Sequence, residues 1–501
     1  MWRRAGGADD ERVNQIIPGP SMSLLELLLV LSAAVLVAAR WLPPAARPRV
    51  ATAAGAVWLP TALALAVTGV RWQLIPVLVG GAAVLPFLAV PLLRARTGRT
   101  GWRARWWLAL PGTLACGGLV AAGPLAAWSF PVPVFPQPSG AFAVGTRVVE
   151  WTDPSRPETF TAEPSDHRTV VVQLCYPARA VDAGTERARY LGRTEDEART
   201  VAEALTRGVG LPGFLLDGVT RARSRAVADA PVAEDGGRFP VVLFSPGSAG
   251  VRTQNSAWAE ELASHGYLVA ALDHPYDSAA VVLADGRTVR TATSSTGDRD
   301  RDEELAAGWT AIRAADLGFV LTRLEALGRR DGGDPLAGRL DTGRAAVTGH
   351  SMGGAAALQA ARQDHRFAAV VDLDGFPHGP ASPALTRPAL VLTQQITPDT
   401  DPRYLPRLAE ALAASDDTGY RVTVPGAAHL TFTDSPLYLP PVPSIVGSRG
   451  RAESPRLVAG ATLAFLDAVL RGGTGDPAVA LSVYGEVEVR GAGRTGGPAQ
   501  P

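Results

Sequence analysis

The sequence predicts a doubly wound, mostly parallel α/β sheet behind an N-terminal α-helical transmembrane region, and three observations predict it. From Phe239 to Arg471, short apolar runs of strand type alternate with runs of helical composition, the pattern of a parallel sheet covered on both faces. One such strand and helix are joined by Val347-Thr348-Gly349-His350-Ser351-Met352-Gly353-Gly354-Ala355. Before residue 129 lie four apolar stretches, at Leu24 to Ala39, Val50 to Val70, Trp72 to Leu93 and Trp106 to Trp128. The last three reach the ~20 residues a helix needs to cross a bilayer.

The four stretches are expected to span, although Glu26 near the start of the first shortens its apolar part. Arginine placement orients them. The loops between spans one and two and between three and four hold eight arginines, against four on the other side, so those loops face the cytoplasm. The chain after Trp128 is then extracytoplasmic, on a multi-pass protein of the bacterial cell membrane. Ser129 to Gly140 holds Pro131, Pro133, Pro136 and Pro138, too many for a helix or central strand, and reads as a stiff linker.

Arg168 to Tyr176 alternates in the manner of a strand. Glu186 to Val227, interrupted at Gly208 to Gly213, reads as a helical insertion. Strands follow at Phe239 to Phe244, Tyr267 to Leu272, Ala345 to Thr348, Ala368 to Leu373, Ala389 to Thr393 and Tyr420 to Val424. Helices are expected at Ala257 to His265, Glu303 to Leu327, Ala355 to Arg362 and Pro455 to Arg471. The domain plan is a segment at 1–22, about four transmembrane helices in 23–128, a linker at 129–145, the α/β domain at 146–472 and a glycine-rich disordered tail at 473–501.

Composition excludes several classes. The 48 basic residues, all arginine, balance 48 acidic ones, so overall charge gives no reason to expect a nucleic-acid partner. Cys116 and Cys175 have neither disulfide-framework nor metal-site spacing, and the seven histidines form no ligand cluster. No metal and no cofactor are expected.

The chemistry centres on Ser351. A strand-to-helix elbow has no room for side chains on both flanks, so Gly349 and Gly353 permit the turn that holds the serine hydroxyl above the sheet. α/β-Hydrolases present their nucleophile this way, with acid and then histidine following in the chain. Of the later histidines, His365 lies in the helix after the elbow and His378 beyond a strand. His429, in a small-residue loop directly after the last strand, is the expected base. Spacing leaves the acid open between Asp374, after one strand, and Asp399 or Asp401, after the next, with Asp372 deeper on the same face as Asp374. Backbone N–H groups of Ser248, in the loop after the first of these strands, and Met352, after the nucleophile, are the expected oxyanion donors. His274 and His350 read as structural.

Taken together, Phe244-Ser245-Pro246-Gly247-Ser248, the run Leu262 to His274, Gly349-His350-Ser351-Met352-Gly353-Gly354, Leu373-Asp374-Gly375-Phe376-Pro377 and His429 with Phe432-Thr433-Asp434 resemble the plasma-type platelet-activating factor acetylhydrolase family over roughly residues 165 to 470. The resemblance implies Asp374 as acid and a phospholipid ester with short or oxidised acyl chains as substrate. Pro246 departs from that family, which has histidine before the glycine, and is similar to bacterial cutinase-like polyester hydrolases, whose acid would lie near Asp399. The expected activity is serine esterase or lipase chemistry on lipid-like esters. The alternatives are a cutinase-like polyester or triacylglycerol hydrolase, and a non-catalytic ligand sensor on the same fold. Pro436 to Val446 is apolar enough for a lid or acyl wall, or for packing on the insertion.

Overall fold

The computed structural model describes residues 22–96, 105–182, 184–329, 333–378, 383–398, 400–413 and 417–491. Residues 1–21 of the expected N-terminal segment, and Asp399, lie outside them. The chain divides into a unit at Met1–Val132 and a second at Pro133–Pro501.

The first unit is helical, with helices Leu24–Ala39, Arg47–Thr68, Ile75–Arg96 and Trp106–Ser129. By length and composition Arg47–Thr68 and Ala109–Ser129 could cross a membrane, while Leu24–Ala39 and Trp72–Phe87 are shorter apolar helices. Glu26 is compensated twice over: it closes a capping box with Ser23, and its carboxylate meets Arg71 at 3.2 Å with both side chains 5% exposed.

The second unit is built on strands β1 (Ala143–Pro157), β2 (His167–Ala178), β3 (Val227–Ala228), β4 (Phe239–Ser245), β5 (Leu268–Asp273), β6 (Ala280–Val282), β7 (Thr288–Arg290), β8 (Leu340–His350), β9 (Phe367–Leu373), β10 (Ala389–Thr393), β11 (Gly419–Thr423) and β12 (Glu486–Arg490). All but the β6–β7 hairpin form one sheet in the order β12-β11-β10-β9-β8-β4-β5-β2-β1-β3. From β11 across to β5 every pairing is parallel, and antiparallel β12, β2 and β1 flank that run.

Side-chain alternation explains why both faces are covered. In β4, Phe239, Val241 and Leu243 enter one apolar core and Val242 and Phe244 the other, and β5 splits Leu268, Ala270 and Leu272 from Val269 and Ala271 in the same way. Helices Arg299–Arg329, Met352–Gln363 and Tyr404–Ala413 close the first core; Ser256–Ser264 and Glu453–Arg471 close the second.

One expectation is corrected. The tail after Gly472 is not disordered through its described part. Pro477–Leu481 is helical, and β12 pairs antiparallel with β11, so the sheet edge extends to Arg490. The proline-rich linker forms neither helix nor strand at 131–139 and is tied down: Phe135 is buried, its ring 4.7 Å from that of Tyr190, and Arg225 donates to its carbonyl. Strand β1 has no clear counterpart in the sequence reading, because polar Arg147, Glu150 and Asp153 interrupt its apolar alternation.

Candidate active site

Strands β4 and β8 are neighbours, and the chain leaves β4 toward β5 on one side while β8 lies on the other. That reversal of strand order opens a crevice at the carboxyl ends. The loop after β4 and the elbow after β8 both lie there. Ser351 sits in the elbow at φ 56° and ψ −122°, a conformation L-residues avoid. A methyl group at Gly349 would strike the backbone of Gly353, and one at Gly353 would strike the Ser245 carbonyl, so both elbow positions demand glycine. Ala249 and Asp374 also have positive φ, so three of the five described non-glycine residues with that strain lie around the crevice.

Asp374 follows β9 and His429 opens a one-turn helix after β11. The Asp374 carboxylate is 1% exposed, and its Oδ2 lies 2.6 Å from His429 Nδ1. Its Oδ1 accepts the Gln394 N–H at 2.8 Å and the Tyr404 hydroxyl at 2.9 Å. Three donors therefore hold one buried carboxylate, and the His429 ring, 42% exposed, faces out from it. Ser351 joins the group through the sheet, its N–H bonded to the Leu373 carbonyl just before Asp374. No hydrogen bond joins Ser351 Oγ to His429 among the described residues. Such contacts often tighten only around substrate.

The other carboxylates differ. Asp401 is paired with Arg403, whose side-chain and backbone donors hold it down at about 2, and it makes no bond to His429. Asp372 is fully buried beneath the elbow; its Oδ1 accepts the Gly375 N–H, Oδ2 has no partner, and burial pushes its pKa well above the usual carboxylate range. His365 is exposed beside Arg366, and His378 pairs with Glu303.

The N–H groups of Ser248 and Met352 have no hydrogen-bond partner among the described residues, as donors to an incoming oxyanion require. The loop presenting Ser248 is gripped from below. Arg313, fully buried in helix Arg299–Arg329, forks onto Asp277 at 2.5 and 2.7 Å and donates to the carbonyls of Pro246 and Gly247. Burial raises the Asp277 carboxyl, but the guanidinium outweighs it and leaves the group below its ordinary value. One turn on, Asp316 meets Arg168 at 2.7 Å and His274 Nδ1 at 2.8 Å, and His274 Nε2 lies 2.9 Å from Ser245 Oγ. That second serine-histidine-aspartate arrangement is wholly buried, so it braces the loop and cannot meet a substrate.

Sequence reasoning missed Tyr404, Gln394, Arg313, Asp277 and Asp316. A signal existed for two of them: Arg313 and Asp316 occupy the apolar stripe Ala306, Thr310, Leu317, Val320 and Leu324, where charges need buried partners. Tyr404 and Gln394 carry no such mark. Of the apolar run 436–446, Leu437 and Val446 are buried and Tyr438 packs against Tyr190 of the insertion at 6.3 Å, while Val442 and Ile445 are exposed.

Comparison with known proteins adds independent support. The model of the family "Platelet-activating factor acetylhydrolase, isoform II" matches residues 128–295 and 295–472. A probable 1-alkyl-2-acetylglycerophosphocholine esterase of Arthroderma benhamiae is 28% identical over 254 residues, covering 48% of this chain and 59% of the relative. A platelet-activating factor acetylhydrolase of Cavia porcellus is 31% identical over 156 residues, 28% of this chain and 35% of that protein. The chain thus spans little more than half of these relatives' length, or less. A solved ferulic acid esterase from Streptomyces cinnamoneus superposes with a TM-score of 0.55 at 28% identity, over 70% of this chain and 98% of that one. With a buried carboxylate on His429, a strained serine elbow and a family match across most of the chain, this protein belongs to the platelet-activating factor acetylhydrolase isoform II family.

Proposed function

We propose that the protein is a membrane-anchored carboxylic ester hydrolase that works through an acyl-enzyme. Ser351 attacks the ester carbonyl while His429 takes its proton, Asp374 holds the imidazole with its free nitrogen toward the serine, and the N–H groups of Ser248 and Met352 receive the developing oxyanion. Water then attacks the acyl-enzyme with His429 as base, and the acid leaves. The observation that carries this reading is the 2.6 Å contact from His429 Nδ1 to a buried carboxylate whose other oxygen is already held by two donors.

The relatives' names support an ester of glycerophospholipid type with a short acyl chain as the substrate class, and the family resemblance adds oxidised chains to it. The helices Arg47–Thr68 and Ala109–Ser129 support anchoring in the bacterial cell membrane, with the α/β domain extracytoplasmic on the arginine count. A second reading, an ester of an aromatic or polymeric acid, is favoured by Pro246 and by the match to nearly the whole length of the ferulic acid esterase.

Hydrolysis of p-nitrophenyl esters of increasing acyl length by the detergent-purified full chain, beside Ser351→Ala, tests the proposal. Turnover lost in the variant supports it, and the length profile separates acetyl-type from long-chain chemistry. No wild-type turnover, or equal turnover by Ser351→Ala, leaves the ligand-sensing alternative.

A further inference from the structure

We propose that Gln254 and His350 are positioning residues that lock the loop carrying the Ser248 N–H to the loop carrying His429, through one directional chain of hydrogen bonds. This rests on the esterase reading above and deepens it.

The chain begins at a backbone donor and ends at a backbone acceptor. Gly247 N–H donates to Gln254 Oε1 at 2.8 Å. Gln254 Nε2 lies 3.3 Å from His350 Nδ1, and His350 Nε2 lies 3.1 Å from the His429 carbonyl. Its polarity has only one solution. An N–H can meet only the amide oxygen of Gln254, so the amide nitrogen faces His350. Nδ1 must then accept, and the ring proton sits on Nε2, where the His429 carbonyl receives it. One neutral tautomer of His350 satisfies every member, and a second proton on the ring would set two donors against each other.

The neighbourhood agrees. His350 is 1% exposed, and its ring lies 4.6 Å from that of His429, the titratable group that faces it, with Asp374 beyond. Burial first, and His429 second, press the His350 pKa well below its usual value. A neutral ring beside His429 leaves the base free to become imidazolium without a like charge against it. The segment around Gln254 is tied to the histidine loop at two further points. Asn255 Nδ2 donates to the Phe432 carbonyl at 2.7 Å, and Asp434 N–H donates to the Gln254 carbonyl at 3.0 Å. Oxyanion donor and general base reside on loops after strands β4 and β11, far apart in the sheet order. The relay joins them directly, so a shift of one is transmitted to the other.

The test compares full-length wild type with Gln254→Leu, the isosteric Gln254→Glu, His350→Gln, and the double variant Gln254→Leu with His350→Gln. Steady-state hydrolysis of p-nitrophenyl butyrate is normalised to sites titrated with a fluorophosphonate, so misfolded protein is not counted. Gln254→Leu is expected to lower kcat about tenfold with KM within about twofold, since the lost geometry matters at the oxyanion and not in ground-state binding. The double variant should fall no further than the weaker single one, the mark of residues acting as a unit. Gln254→Glu still accepts from Gly247 but draws a second proton onto His350, adding an inflection to the pH dependence of kcat that the wild type lacks. Wild-type kcat and pH profile in both Gln254 variants, or fully additive losses in the double variant, would overturn the relay while the active wild type upholds the esterase. A wild type without turnover would remove the esterase reading, and the relay with it.

Discussion

Replacing Asp374 by asparagine separates the candidate acids, because the surroundings dictate how the new amide points. The Oδ1 position faces two donors, Gln394 N–H and the Tyr404 hydroxyl, and the Oδ2 position faces His429 Nδ1. The asparagine oxygen therefore takes the Oδ1 place and its NH2 faces the imidazole. The inverted amide would leave two buried donors unmet, at about 1–3 kcal/mol each. With an NH2 opposite, Nδ1 must act as acceptor, so the ring proton moves to Nε2, the nitrogen that has to receive the Ser351 proton. A tautomer fault of this kind lowers kcat about 10⁴-fold in a serine triad, which is roughly 5.4 kcal/mol of barrier at about 1.36 kcal/mol per decade. Shape and burial are unchanged, so the thermal midpoint should hold while kcat collapses. The assay is p-nitrophenyl butyrate hydrolysis by Asp374→Asn, Asp372→Asn, Asp399→Asn and Asp401→Asn proteins, each corrected for folded sites. An Asp374→Asn enzyme within tenfold of wild type, or a collapse in Asp399→Asn or Asp401→Asn instead, would refute the assignment.

Three further outcomes are expected. Gly353→Ala should cost roughly 3 kcal/mol or more and abolish activity, because the methyl meets the Ser245 carbonyl, a backbone atom that cannot swing aside; a normal melting temperature would show that the elbow yields. Asp372→Asn should stabilise the protein increasingly as pH rises. The native carboxyl holds its proton above the unfolded value of about 3.9, so the wild type has its full contribution below that pH and loses it as pH rises through the folded value. The gain should thus be absent near pH 4 and present at pH 8, read as a few degrees in Tm for each kcal/mol; a gain independent of pH would count against a buried neutral acid. Arg313→Ala should destabilise by about 3–5 kcal/mol, since it strands the Asp277 carboxylate in the interior. Asp277→Asn in the same background should recover part of that loss, and denaturant melts that show no recovery would argue against the pair.

Much of this protein was legible in the chain. Periodicity and turn chemistry are local, so the strands β4, β5, β8, β9, β10 and β11, four of the five covering helices and the elbow could be read directly, with ends off by a residue or two in most and by five at the start of β8, while Tyr404–Ala413 was not placed. Gly349 announced itself because its constraint is the Gly353 backbone four residues on, whereas Gly353 is held to glycine by the distant Ser245 carbonyl and was legible only through the elbow motif. Strand β12 escaped because Glu486-Val487-Glu488-Val489-Arg490 is a short edge strand inside a polar, glycine-rich stretch; pairing with β11 makes it a strand, and no local preference announces that.

The sequence by itself determined the candidate nucleophile and base, the fold class that orders them, and the apolar helices before Ser129. Spacing left the acid divided between Asp374 and its neighbours after β10, since both lie at the carboxyl edge and spacing carries no distance between loops, and the family resemblance pointed to Asp374. Tertiary structure supplied the contact itself, bringing the Asp374 carboxylate to His429 and surrounding it with donors from three other segments. The same holds for the Arg313 clamp and the Gln254–His350 relay, whose longest links join residues 67 and 96 positions apart in the chain. Hydrogen bonds of that range exist only once the sheet has brought its strand ends together, so their geometry belongs to the fold and not to any motif.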